Sequence, residues 1–388
     1  MLSSKAFTLA CLILSFASAE LAADVLTVRV DGSGTHPDLQ AALDHALPGD
    51  TISVGPGDYV LTRPLEARDE KADGVRIVSE NGPEETFLSM SSEPEDPNHA
   101  SIAILEDTYI EIEGLTFRGG LGTLLFPPDD TNFIGTRMGG AVLALEDSSL
   151  VFRNCVFEGN GGPANLQGGA IASWDGRVEL RDSTLRRNRA WIGGAISSRD
   201  GAILLYGSRI ESNLASRGGG VASGTESSLF AEQTIFAGNF ASGGPTGPGY
   251  GGALAGGSDS NNFITNCLFV GNAAAASGGA ISSYEDVDDL VVVNSTIVGN
   301  ASLAGGSIVK ENVELRNSIV WDSDGLPIDV DSPVYVSYSA IEGVPLDMLR
   351  GEGNIALEPR FVAPGVFDFT RFDGEFPDFI VELGDYRL

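Results

Sequence analysis

The sequence predicts an all-β fold, a right-handed parallel β-helix (solenoid) of about ten rungs with an N-terminal capping helix. Three observations carry that expectation. A unit with a period of about 25 residues recurs seven times between Gly139 and Asn317, a spacing that marks stacked repeats. Each copy opens on a Gly-Gly-Ala-like start, at Ala141, Ala170, Ala195, Val221, Ala253, Ala280 and Ser307, and six close on Asn160, Asn188, Asn213, Asn239, Asn272 and Asn300. The middle of each copy alternates apolar and polar, as in Val178-Glu-Leu180-Arg, which is the periodicity of strands. Three short strands per copy, joined by bends, describe a coil of parallel strands, and parallel crossovers are nearly always right-handed.

Stacking turns each position into a column with about 4.8 Å between neighbours. Phe157, Leu185, Ile210, Phe236, Phe269, Ile297 and Val320 form an apolar interior column. The closing Asn column can pass hydrogen bonds from one side-chain amide to the next. Six residues earlier runs a bend column, Asn154, Asp182, Gly207, Gln233, Asn266 and Asn294, beside a small-residue column that contains Cys155 and Cys267.

Residues 1–19 read as an export signal, with Lys5, an apolar run and the small-x-small site Ala17-Ser-Ala19. That run is too short for a membrane span. Residues 20–60 read as an N-terminal cap with the first strands. Val25 to Val30 alternates like a strand, Thr35 with Asp38 resembles a capping box, and Leu39, Ala42, Leu43, Ala46 and Leu47 share one helical face. An open solenoid end needs such a lid. The coil proper is expected over 61–345, and the aromatic, acidic stretch 346–388 as a C-terminal cap or tail.

In an export setting disulfides are permitted. Cys155 and Cys267 nevertheless fall four rungs apart in one column, about 19 Å, beyond the ~7 Å that a bridge can span between Cα atoms. Two buried free thiols are expected.

A formal charge of −31 and a pI near 4.2 argue against nucleic acid and anionic membrane surfaces as partners. The three histidines, His36, His45 and His99, lie outside the repeats, which disfavours histidine catalysis or zinc within them.

Gly168-Gly-Ala-Ile171, Gly193-Gly-Ala-Ile196 and Gly278-Gly-Ala-Ile281, with Phe157-Glu-Gly-Asn160, Phe236-Ala-Gly-Asn239 and Phe269-Val-Gly-Asn272, resemble the paired GGAI and FxxN motifs of chlamydial polymorphic outer membrane proteins. The stretch Asp31 to Tyr59 resembles the opening unit of the broader pectin-lyase-like superfamily, and Pro359-Arg-Phe-Val with Gly384-Asp-Tyr-Arg-Leu388 resembles the tail of exported bacterial β-helix proteins. The first resemblance implies adhesion; the second implies a superfamily of lyases, hydrolases, esterases and non-enzymes, within which fold does not decide function.

Three groups of residues could carry chemistry. Asp147, Asp175, Asp200, Glu226, Asp259 and Asp286 recur at one bend, where Asp-Gly turn chemistry accounts for them or calcium relieves their repulsion; Asp147, Asp175, Asp200, Glu226, Asp286 and Asp288 are the candidate calcium ligands. The variable edge after each Asn brings Phe133, Arg189, Trp191, Phe240 and Tyr250, aromatic and cationic groups suited to a glycan cleft or to packing on the coil. For a lyase, Arg186 or Arg187 with Asp175 or Asp182 is the one set that can be assembled; a glycosidase needs paired carboxylates. The regular copies favour an exported scaffold, at the cell surface, outer membrane-associated or extracellular. Such a scaffold would be a monomer that does not span a membrane and binds a polysaccharide or a cell-surface glycan or protein, with no required cofactor beyond possible calcium. The alternative is a polysaccharide lyase or glycoside hydrolase.

Overall fold

The computed structural model describes residues 23–68, 70–125, 136–162, 165–244, 247–283, 289–303, 306–309, 313–321, 328, 334–372 and 376–387. The expected signal segment and the side chains of Phe133, Asp286 and Asp288 lie outside them. Among the described residues the chain winds through three long parallel sheets. Sheet I has twelve strands, from Val25–Val28 to Val334–Ser337. Sheet II has eleven, from Gly57–Leu61 to Ala340–Ile341, and sheet III has nine, from Leu65–Arg68 to Ile308–Val309. One turn shows the plan: Ile171–Trp174 lies in sheet III, Arg177–Arg181 in sheet I and Thr184–Arg186 in sheet II.

Register makes every sequence column a physical one. Val178 pairs with Leu150 above and Ile203 below, and all three are buried. Each such side chain contributes roughly 1.5–3 kcal/mol by leaving water. Repeated phenylalanines stack along the axis, Phe117 on Phe157 at 4.7 Å and Phe236 on Phe269 at 4.5 Å between centroids. The closing asparagines form a continuous buried ladder: the Asn160 Nδ2 donates to Asn188 Oδ1 at 3.1 Å, and the pattern repeats through Asn213, Asn239 and Asn272 to Asn300. A second ladder runs through the small column, where the Cys155 amide donates to Ser183 Oγ and the Ser183 amide to Ser208 Oγ. Cys155 and Cys267 are buried and unbridged.

At the N-terminal end the helix Leu39–His45 lies against the first turn and buries Leu39, Ala42 and Leu43. Its cap is Asp38, whose carboxylate accepts from the Ala41 amide at 2.8 Å, so the capping residue is Asp38 and not Thr35. Leu47, expected on the buried face, is 45% exposed because the helix ends at His45 and the chain turns. Gln40 closes the free edge of sheet III like a strand: its Nε2 donates to the Glu66 carbonyl at 2.9 Å, and its Oε1 accepts from the Glu66 amide at 2.8 Å. An exposed strand edge is thereby paired.

The last residues do not simply close the far end. Isolated bridges from Tyr335 to Arg350 and Ala340 to Ile355 add a partial turn. The segment from Phe361 onward then folds back along the outside of sheet II. There Phe361, Phe367, Ile380 and Tyr386 pack on Ala237, Val270, Val298 and Trp321.

Candidate functional site

The bends between sheets III and I carry the acidic column, and its physical cause is visible in the backbone. Asp147, Asp175, Asp200, Glu226 and Asp259 have φ of 41°, 56°, 54°, 52° and 55°, the left-handed region that short polar residues tolerate best. Four of them, Asp147, Asp175, Asp200 and Glu226, line one open trough of about 520 Å³ together with Ser148 and Arg177. Among the described residues no three acidic, histidine or cysteine side chains converge as a metal would require.

The lyase set is not brought together. Asp175 and Asp182 bracket the five-residue strand Arg177–Arg181, so they sit on opposite edges of sheet I. Asp182 is an exposed bend residue with φ of 49°. Arg186 lies on the outside of sheet II, where its guanidinium binds Glu158 at 2.8 Å, and that partner raises its pKa. Arg187 is an exposed residue of the following bend.

The variable edge is built into the coil by backbone pairing. Short strands such as Leu214–Ala215 and Phe240–Ala241 stack in register, and Arg189, Ile192, Arg217 and Tyr250 make single bridges to their neighbours. Arg189 is exposed, while Trp191 and Tyr250 are half-buried. Phe240 meets Phe372 at 5.3 Å and Phe379 at 5.4 Å edge-to-face, so the folded-back tail occupies its ring.

A different face presents aromatic and charged side chains outward. Strands of sheet I should alternate apolar-in and polar-out, and they do so only in part. Register puts Val151, Glu179, Leu204, Phe230, Phe263 and Val291 in one outward column. Phe230 is 41% exposed and stacks on Phe263 at 5.1 Å, with ring planes 13° apart. The next outward column holds Arg153, Arg181, Tyr206, Glu232 and Thr265. Arg181 lies 4.7 Å over the Tyr206 ring. Across the phenylalanines run Arg177, Ala202, Ser228 and Asn261. The sequence signal for this face was there: Leu229 points in, so Phe230 beside it must point out.

At the upper end of this face Glu179 is held between two arginines. Its Oε2 accepts from Arg177 at 2.8 Å and its Oε1 from Arg181 at 2.5 Å, with only 6% of the residue exposed. Burial alone pushes this carboxyl up, but the hydrogen bonds from Arg177 and Arg181 outweigh it and hold the group below the usual carboxylate range. Arg177 also lines the acidic trough, so trough and aromatic face are continuous.

The fold and this face define a β-helix with a solvent-facing aromatic and ionic strip. The chain belongs to the right-handed beta helix family, whose description, Right handed beta helix region, matches residues 68–297. No curated protein matches the sequence. Solved structures with similar folds include a rhamnogalacturonan lyase, 12% identical with a TM-score of 0.48, covering 94% of this chain and 96% of that one. A pectin methylesterase from carrot is 11% identical with a TM-score of 0.32, covering 85% of each chain. The alginate lyase AlyGC of family PL6 is 13% identical with a TM-score of 0.36, covering 91% of this chain and 55% of that one. At these identities the likeness is one of fold. Among the described residues no helix is long and apolar enough to cross a membrane.

Proposed function

We propose that this chain is an exported carbohydrate-binding β-helix, and that a glycan lies along the outward face of sheet I. The stacked, solvent-facing pair Phe230 and Phe263 carries this reading. Aromatic faces take the apolar side of a sugar ring, while flanking Glu232, Thr265, Ser228 and Asn261 offer acceptors and donors for its hydroxyls. The strong negative charge favours neutral over polyanionic glycans. At a cell surface such a face would serve adhesion, the role implied by the resemblance of the repeats to polymorphic outer membrane proteins.

A lyase or glycoside hydrolase is the second reading, and one observation favours it. Four bend carboxylates line the trough beside Arg177, and successive rungs set such groups at about 5 Å intervals, the scale on which glycosidase carboxylates work. Calcium, if the protein uses it, would enter at these same bends.

Incubation of the mature protein with a polysaccharide panel, with calcium and with chelator, separates the two. Retention of a glycan without new fragments supports the binding reading. Saturated fragments would establish a hydrolase and unsaturated ends a lyase, and either would replace it.

A further inference from the structure

The outside of sheet II changes character along the axis. From its third strand on, its outward column runs through Arg118, Glu158, Arg186 and Glu211 and continues in register as Ala237, Val270, Val298 and Trp321. The flanking column likewise supplies Ile235 and Leu268. The apolar half of the strip is where the folded-back segment from Phe361 to Arg387 lies.

The adjoining bend is shaped for it. Its column reads Gly159, Arg187, Ser212, Gly238, Gly271 and Gly299, all with positive φ near 60° or slightly below. Arginine and serine adopt that conformation in the uncovered turns, so backbone geometry alone does not demand glycine there. Space does at Gly271 and Gly299, whereas a Cβ on Gly238 would stand 3.5 Å from Ile380, an ordinary contact. A Cβ on Gly271 would meet Phe367 at 2.9 Å and Ile380 at 3.0 Å, and one on Gly299 would meet the Phe367 ring at 2.2 Å; on Gly159 it would meet nothing within 4 Å.

The segment is also self-contained. Its described main-chain hydrogen bonds are internal: Val362 to Arg387, Ala363 and Asp385 to each other, and Asp368 to Phe379. It touches the coil through side chains: Phe367 and Ile380 over the glycines, and Phe372 and Phe379 around Phe240.

We propose that the described residues 361–372 and 376–387 form a strap that opens as a unit while the coil stays folded. Undocking breaks none of the coil's backbone ladder, so its free energy lies below that of global unfolding. Opening bares the strip Ala237, Val270, Val298 and Trp321 and frees the Phe240 ring. Closing keeps that apolar surface from association.

Hydrogen exchange on the full chain, followed residue by residue, tests this. In the wild-type chain the Ala363, Asp368 and Asp385 amides should exchange together, and at least about tenfold faster than the Asn188 and Asn213 amides. Phe367→Ala should speed the strap amides about tenfold further and leave the asparagine amides unchanged, while Phe367→Leu restores most of the protection. Strap and asparagine amides that exchange at one rate in the wild-type chain would overturn the proposal. So would a Phe367→Ala chain in which both sets accelerate equally.

Discussion

The Asn188 side chain donates through Nδ2 to Asn213 Oδ1 at 3.0 Å, and the Asn188 main-chain amide donates to the same oxygen at 2.9 Å. Asn213 in turn donates to the Leu185 carbonyl at 2.9 Å and to Asn239 Oδ1 at 3.0 Å. Every polar atom of this fully buried side chain is therefore engaged with a neighbouring turn, and a periodic sequence is converted into a stack of fixed register.

Asn213→Ala strands the Asn188 donors and the Leu185 carbonyl at once. With about 1–3 kcal/mol for each buried group left unsatisfied, the loss should be about 3 kcal/mol or more. Asn213→Asp keeps the acceptor but loses the amide donors, so it should also destabilise. Urea denaturation reads both; a loss under ~1 kcal/mol for the alanine variant would refute the ladder's role.

Both thiols should be inert in the folded protein. Burial pushes the Cys155 and Cys267 thiols up to about 12, so almost no thiolate forms at neutral pH. A disulfide-exchange reagent at pH 8 should label neither in buffer and both in denaturant. Mass measurement under non-reducing conditions should show no internal bridge. Rapid labelling of the native chain would contradict the packing of the small-residue column.

Glu179 gives the outward face of sheet I a pH dependence of known sign. Its folded value lies below the ordinary 4.5, so its contribution to stability is complete above about pH 4.5 and is lost as pH falls through the folded value. Arg177 and Arg181 are nearly half exposed, which limits the effect of Glu179→Gln to about 1 kcal/mol. Stability curves of wild type and Glu179→Gln should differ at pH 6 and converge toward pH 3. Curves that stay parallel over that range would remove the ion triplet from the account.

Much of the fold was legible because a solenoid repeats its physics. Gly-Gly-Ala, the interior phenylalanines and the closing asparagines each recur at a fixed offset, so one copy interprets the next. The strap was not legible, since Phe361 to Arg387 has no repeat and its partner lies far away in sequence. A trace of it existed in the swap from Glu158, Arg186 and Glu211 to Ala237, Val270 and Val298 at one outward position. The surroundings of the variable edge were not legible either, because the ring of Phe240 packs on Phe372 and Phe379, which lie more than a hundred residues away in sequence and outside the repeats. Phe230 and Phe263 stack on each other only because the register sets them in one outward column.

The most direct test of the central claim is glycan retention by the folded chain, measured by affinity electrophoresis on the polysaccharide that wild type binds best. Phe230→Ala and Phe263→Ala should each weaken retention about tenfold, given ~1–1.5 kcal/mol for a lost aromatic stacking contact. Trp191→Ala, on the variable edge, should leave it unchanged. Full retention by the double variant Phe230→Ala/Phe263→Ala, with its unfolding midpoint preserved, would contradict a glycan site on sheet I.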